Sequence, residues 1–191
     1  MNTRKPSRSI LRTQTLLKQG LTDLMKETPV HKISVKQLTD HVNLNRGTFY
    51  LHYKDIQDLL EHIEKDLLNE FLQINDSHQA REMEGHPFPL ILDLYKFLEK
   101  NADFVRILLV ENQEKNFIEQ IKEILRSRCL RDWNTVFEKA DPTVCEIYSA
   151  YVLNGCIGII EHWIKTGTGQ TPEELARYTE DIMMKGVGIL M

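Results

Sequence analysis

Apolar residues recur every three or four positions along most of the chain, the spacing of one face of an α-helix. This pattern predicts a first helix over residues 9–27, ended by Pro29, and a longer helix that starts at an Asp55 cap and continues to Phe71. Further helices are predicted over residues 88–100, 102–112, 115–138, 142–165 and 171–189. No segment alternates with period two for long enough to predict a strand. The fold is therefore predicted to be all-α.

Breaks between these helices carry recognisable turn and cap residues. Residues 75–87 are polar and aperiodic and contain Gly and Pro, which predicts a loop. Asp141 and Pro142 mark another break. Thr171 is followed by Pro172 and then by Glu174 three residues after the cap, a combination that favours the start of a helix.

The stretch VKQLTDHVNLNRGTFYLHYKDIQDLL, residues 35–60, predicts a short helix, a tight turn, a second short helix and a longer one. Ser34 and Gln37 fit a capping box, in which each side chain binds the other residue's backbone N–H. Asn43 stands where the turn needs a left-handed backbone, and Asn45 is a good N-cap for the next helix. Two short helices joined by a tight turn are the layout that places one helix in the DNA major groove.

Charge is divided unequally along the chain. Residues 1–54 contain ten Lys or Arg and three acids, a net of +7, whereas the whole chain has a net charge of −4. A basic end on an acidic protein indicates a polyanionic partner, although a solvated basic surface without a partner would give the same count. Arg4, Lys5 and Arg8 lie in a flexible basic arm, residues 1–8, that we expect to reach the DNA backbone or minor groove.

Residues 45–54, NRGTFYLHYK, resemble the signature of the TetR/AcrR family of bacterial transcriptional regulators. That signature runs roughly S-x-G-T-[FL]-Y-x-H-F-K and follows a helix that ends A-G-V. The resemblance covers residues 9–71. The chain departs from it at Val42 and Asn43, where Ala-Gly is usual, at Asn45, where Ser is usual, and at Ile56, where a phosphate-contacting Lys is common.

This resemblance implies a helix-turn-helix DNA-binding domain of three helices over residues 1–53 and a helical regulatory, ligand-binding and dimerisation domain over residues 54–191. Arg46, at the start of the second short helix, is the best candidate for reading a base, because a guanidinium can bind guanine O6 and N7 together. The residues expected to contact DNA are Lys36, Asn45, Arg46, Gly47, Thr48, Tyr50, Leu51, His52 and Lys54.

The segment 142–165 is apolar nearly all round, so the helix it predicts must be covered on more than one side. Either the monomer encloses it or a second subunit covers one side. Members of the TetR family are similar in pairing their last two helices into a four-helix bundle, which favours a homodimer. The expected interface residues are Ala150, Asn154, Gly155, Gly158, Ile182 and Met183.

The resemblance also implies a pocket for a small apolar effector in the C-terminal domain. The aromatic and flexible residues expected to line it are Phe97, Phe104, Leu108, Phe117, Ile121, Trp133, Phe137 and Tyr151. The chain is then expected to be a repressor that binds a palindromic double-stranded operator. A coregulator or activator controlled by a protein partner is the alternative.

Other classes of protein find little support in the sequence. Three cysteines without a C-x-x-C spacing predict neither a disulfide framework nor a zinc site and fit a reducing cytoplasm. The uncharged run over residues 147–160 is shorter than the roughly 18 residues that span a bilayer, so we expect no membrane segment. The adjacent acid–His pairs Glu61-His62 and Glu161-His162 have neither the H-x-x-x-H nor the E-x-x-H spacing of a helical metal site. We therefore expect a cytoplasmic protein that is not an enzyme and has no cofactor.

Overall fold

The computed structural model describes residues 8–78, 86–110, 115–136, 141–167 and 169–185. Every regular element in these ranges is helical, which confirms the predicted all-α fold. The α-helices are α1 (Arg8–Met25), α2 (Val35–His41), α3 (Arg46–Tyr50), α4 (Ile56–Ser77), α5 (Phe88–Lys100), α6 (Ala102–Val110), α7 (Lys115–Val136), α8 (Pro142–Thr166) and α9 (Pro172–Lys185).

Helix caps fall where the sequence predicts them. The Asp55 Oδ1 atom accepts the Asp58 N–H at 2.8 Å at the start of α4. The Asp141 carboxylate accepts the Thr143 N–H at 2.7 Å at the start of α8. At the start of α9, the Thr171 hydroxyl accepts the Glu174 N–H at 3.3 Å while the Glu174 carboxylate accepts the Thr171 N–H at 2.9 Å, a complete capping box.

Two local features differ from the prediction. Helix α4 continues to Ser77, so the first residues of the predicted loop at 75–87 are helical. Asn75 is buried there, and the Ser77 hydroxyl donates to the Ile74 carbonyl at 2.8 Å in the last turn of the helix. A short 3₁₀ turn, Val30–Lys32, follows Pro29. The predicted helix ends at 112, 138 and 189 lie outside the described residues.

The chain divides into two compact units, Met1–Leu67 and Leu68–Met191, and the division falls inside α4. In the first unit α1 packs tightly on α2. A Cβ atom on Gly20 would lie only 2.2 Å from Val42 Cγ1 and 3.1 Å from Leu38 Cδ1, so this crossing needs glycine. The fully buried large residues of this unit are Leu17, Leu21, Met25, Leu38, Phe49, Leu59, Leu60 and Leu67.

In the second unit α5 packs against α9, and α7 packs against α8. Ile91 and Tyr95 of α5 form one buried cluster with Leu175 and Ala176 of α9. The Tyr95 hydroxyl lies 2.8 Å from the Thr179 hydroxyl, so each polar group has a partner inside the core. Burial raises the pKa of Tyr95 to about 12, against a smaller lowering by the bond to Thr179.

Helix α8 has two unlike sides. Cys145, Ser149, Val152 and Leu153 are buried on one side. The large apolar side chains of Val144, Ile147 and Tyr151 are exposed on the same helix. By length and composition alone α8 could cross a membrane, and a core helix of a soluble protein can pass the same test.

Candidate nucleic-acid interface and effector cavity

The turn between α2 and α3 has the geometry that its residues predict. At the start of α2, the Ser34 hydroxyl accepts the Gln37 N–H at 3.2 Å and the Gln37 side chain accepts the Ser34 N–H at 2.8 Å. Asn43 has a φ of 52°, the left-handed conformation expected of it. The Asn45 side chain then accepts the Gly47 N–H at 2.7 Å and caps α3. All three predicted local features are confirmed.

Phe49 fixes the orientation of α3, because its ring has no solvent exposure. It lies 5.8 Å from the ring of Tyr53, which is itself buried and 5.3 Å from the ring of His62 on α4. Burial is the main cause that raises the pKa of Tyr53, so its phenol stays neutral at ordinary pH. Both aromatic residues belong to the core.

With Phe49 inward, the remaining side chains of α3 face solvent. Arg46 is exposed, as are Tyr50 and, just after the helix, Leu51. Thr48 and His52 are partly exposed on the flank. Within the described part of the chain, the Arg46 guanidinium makes no ion pair or side-chain hydrogen bond and can bind an external group.

The second unit contains a partly open cavity of about 170 Å³. Its apolar wall comes from α5, α7, α8 and α9 and includes Leu94, Leu98, Leu125, Ile157 and Ile160.

The few polar groups on this wall are already paired. Arg128, with 5% of its side chain exposed, donates to Asp132 at 2.8 Å and also to the carbonyl of His78, just past the end of α4. The Tyr95 and Thr179 hydroxyls bind each other. The thiols of Cys129 and Cys156 also line the cavity. The pKa of Cys156 is raised to about 11, mainly by burial and to a smaller extent by the neighbouring Cys129.

Comparison with known proteins identifies the class of this chain. The TetR-type model described as "Transcriptional regulator C-terminal region" matches residues 85–185, more than half of the chain. The chain belongs to the TetR/AcrR family of transcriptional regulators. Members of this family bind DNA operators, dimerise and bind small-molecule ligands, and they are generally not enzymes.

Individual relatives of this TetR-family chain are distant. YxbF of Bacillus subtilis, an HTH-type transcriptional regulator, is 21% identical over 84% of this chain and 42% of its own length. DhaS of Lactococcus lactis, an HTH-type activator of the dhaKLM operon, is 26% identical over 59% of this chain and 58% of its own length. The chain thus spans about half the length of the curated relatives it matches.

The fold is also shared with solved structures. NalD of Pseudomonas aeruginosa, the secondary repressor of the MexAB-OprM multidrug efflux pump, superposes with a TM-score of 0.65 at 18% identity. The superposition covers 94% of this chain and 98% of that one. A likeness at this identity establishes the fold and nothing finer.

The nine residues expected to contact DNA lie on one segment of this TetR-family regulator. Lys36, at the start of α2, and Lys54, just before α4, have exposed side chains. Asn45 and Gly47 are exposed at the start of α3. Arg46, Thr48, Tyr50, Leu51 and His52, on α3 or just after it, are the other five. Of the arm residues, Arg8 begins α1, and Arg4 and Lys5 lie outside the described residues.

The cavity falls on a different set of residues from those expected to bind an effector. None of the eight is among its described lining residues. Phe97, Phe104, Leu108 and Phe117 are buried core, Ile121 is partly buried, and Tyr151 is 61% exposed on α8. The Trp133 side chain and Phe137 lie outside the described residues. Sequence reasoning could not find the cavity because its wall depends on which helices become neighbours in space.

The residues expected at a dimer interface lie on the exposed side of α8 and on α9. Ala150, Asn154, Gly155 and Gly158 are all exposed, and a Cβ atom on either glycine would meet no neighbouring atom within 4 Å. Ile147, 66% exposed, and Val144 and Tyr151 lie on exposed positions of the same helix. Ile182 and Met183 are partly exposed, and Met183 also lines the cavity.

Proposed function

We propose that this chain is a cytoplasmic transcriptional regulator that binds a palindromic DNA operator as a homodimer through α3. The observation that carries the proposal is the outward face of α3. Phe49, in the middle of α3, is fully buried, while the side chains of Arg46, Tyr50 and Leu51 are exposed. A short helix held in this way by a helix-turn-helix is suited to entering the major groove.

Each exposed group suits a particular DNA atom. The Arg46 guanidinium matches guanine O6 and N7, a contact worth about 1–3 kcal/mol of discrimination. Lys36 and Lys54, which precede and follow α3 in the sequence and have exposed side chains, would bind phosphates, and the Thr48 hydroxyl and His52 ring would add hydrogen bonds there. Such contacts fix the position of the helix, while Arg46 and Tyr50 read bases.

A homodimer would cover the apolar face of α8. Ile147 and Tyr151 are four residues apart and therefore share a helix face, next to the open flank at Gly155 and Gly158. An exposed contiguous apolar face on a soluble protein commonly marks an interface. Pairing of α8 and α9 with the same helices of a second copy, about a two-fold axis, would present two α3 helices to two half-sites.

The cavity would hold the effector. Its charged pair is already neutralised and its hydroxyls are paired, so a charged ligand would gain no free partner there. A cavity of roughly 150 Å³ in another protein holds benzene. The size and chemistry of this cavity, about 170 Å³, therefore favour a neutral apolar effector of about one ring.

Arg128 provides a route from the cavity to DNA binding. It lies on the cavity wall and donates to the carbonyl that follows α4, the helix that is continuous between the two units. The protein would then have two states, with and without this hydrogen bond to the end of α4. An effector whose affinity differs between the two states would shift their populations.

Toluene and benzoate test the effector proposal as a matched neutral and charged pair. Toluene is expected to raise the melting temperature of the protein, and benzoate at the same concentration is not. Ile157→Phe, which fills part of the cavity, is expected to abolish the toluene effect. Stabilisation by benzoate alone, or a toluene effect unchanged in Ile157→Phe, would contradict it.

DNA binding is tested by mobility shift with fragments from around the chain's own gene. One fragment should be retarded at two chains per duplex, and unrelated fragments of equal length should not. Equal retardation of all fragments would argue against an operator.

Activation instead of repression is a second candidate, favoured by the name of one relative, the DhaS activator. NalD, by contrast, is named a repressor. In vitro transcription from the retarded fragment distinguishes them, since a repressor lowers and an activator raises the amount of transcript. Co-purification of a stoichiometric protein with the chain would favour control by a protein partner over control by a small molecule.

A further inference from the structure

The centre of the outward face of α3 is apolar. Leu51 follows the last residue of α3 but keeps a helical backbone, with φ −70° and ψ −19°. It therefore lies one turn after Gly47 on the same face. Phe49, two residues from each, points to the opposite side, into the core. Gly47 on α3 and Leu51 just after it thus face away from the buried Phe49.

Leu51 is 81% exposed, more than any other large apolar side chain in the described part of the chain. Nothing in its own unit covers it. Beside it the surface is open, because a Cβ atom on Gly47 would meet only the Asn45 side-chain oxygen, at 3.3 Å. Side chains that form hydrogen bonds lie to either side, with Arg46 and Tyr50 on one flank and Thr48 and His52 on the other.

We infer that Leu51 is a specificity-determining residue that packs on the C5 methyl group of a thymine in each operator half-site, with Gly47 allowing the close approach. The inference rests on the proposed operator binding. The thymine methyl is the distinctive apolar group on the base edges of the major groove, and apolar side chains recognise it by contact. Polar neighbours on both flanks favour DNA over an apolar protein surface as the partner of this face.

The test starts from a random duplex library, from which the wild-type chain selects its binding sequence. Each thymine of the selected duplex is then replaced by deoxyuridine, which lacks the methyl group and keeps every hydrogen-bonding atom. Affinities of wild type, Leu51→Ala and Leu11→Ala are measured on each duplex. Leu11, exposed on α1, is the matched control for loss of an exposed leucine.

At one thymine of each half-site, deoxyuridine is expected to weaken wild-type and Leu11→Ala binding about fourfold, the effect of burying one methyl group. The same replacement is expected to leave Leu51→Ala binding unchanged. Gly47→Ala is expected to weaken binding to the unmodified duplex without lowering the melting temperature.

Two failures are distinguishable. A chain that selects no sequence contradicts the proposed function together with this inference. A selected duplex on which every deoxyuridine replacement affects wild type and Leu51→Ala equally overturns the inference alone.

Discussion

Asn43 has a left-handed backbone conformation that few residue types other than glycine tolerate. Its φ of 52° places it in the left-handed region, which disfavours most side chains with a Cβ atom. The TetR signature commonly has Gly here, and Asn is the best-tolerated substitute.

We expect Asn43→Ala to lower the free energy of unfolding by about 1 kcal/mol, because alanine keeps the steric cost and loses the local bonding of asparagine. Asn43→Gly is the matched control, since it loses the same amide without the steric cost, and it should unfold near the wild-type midpoint. Urea unfolding followed by circular dichroism measures both. Equal losses in the two variants would refute the backbone explanation.

Tyr95 and Thr179 form a buried pair that joins α5 to α9 across 84 residues of sequence. We expect Tyr95→Phe to cost about 1–2 kcal/mol of stability, because it leaves the Thr179 hydroxyl buried without a partner. The double variant Tyr95→Phe with Thr179→Val removes both groups and should recover most of that loss. Additive losses in urea unfolding would mean that the bond is absent in solution.

Ionisation of Tyr95 is expected to lower the stability of the protein at alkaline pH. Burial holds the pKa of Tyr95 at about 12, above its ordinary 10.0. The contribution of the neutral phenol to the free energy of unfolding is therefore complete below pH 10 and is lost as the pH rises toward 12. Urea midpoints measured from pH 9 upward should fall less steeply in Tyr95→Phe than in wild type. Identical slopes would contradict the raised pKa.

At the scale of elements, local sequence accounts for where most helices begin. Ser34, Asn45, Asp55 and Thr171 all cap the helices predicted from them, because a cap is decided by residues within one turn. Packing between helices is not decided locally. The neighbours of Gly20 in the sequence do not indicate that a Cβ atom at position 20 would lie 2.2 Å from Val42 Cγ1.

Gly20→Ala tests this crossing of α1 and α2. Alanine gains about 1 kcal/mol of helix propensity, while overpacking costs about 1–3 kcal/mol, so a net loss of stability is expected. Val42→Ala in the same chain removes the obstructing methyl group and should restore most of it. Greater stability of Gly20→Ala alone, measured by thermal unfolding, would contradict the close packing.

At the scale of the whole molecule, the sequence predicts the family and the fold, and both are confirmed, whereas the DNA contacts and the effector site stay predictions. The signature residues 45–54 are contiguous, so their arrangement follows from one short helix and its cap. The cavity combines α5, α7, α8 and α9, and the side chains on its wall can be identified only after those helices are placed. Phe97 and Phe104, expected from their aromatic character to line a pocket, are buried and are not among the described residues that line this cavity.

Dimerisation is a property of the whole molecule that one substitution can test. Ile147→Glu places a charge on the exposed apolar face of α8 and is expected to convert a dimer to a monomer in sedimentation equilibrium. Ile10→Glu, at a side chain 38% exposed on α1, is the control and should remain dimeric. A dimer that survives Ile147→Glu unchanged would place the interface elsewhere.

The most direct test of the central claim is fluorescence anisotropy with the duplex that the chain binds, over a range of salt concentrations. Arg46→Ala should lose tenfold or more in affinity for that duplex and approach its affinity for unrelated DNA, because the base contact is removed. Lys32→Ala removes an exposed charge of the same sign in the 3₁₀ turn before α2 and should retain the preference. Equal affinities of wild type and Arg46→Ala for both duplexes at every salt concentration would contradict sequence reading by α3.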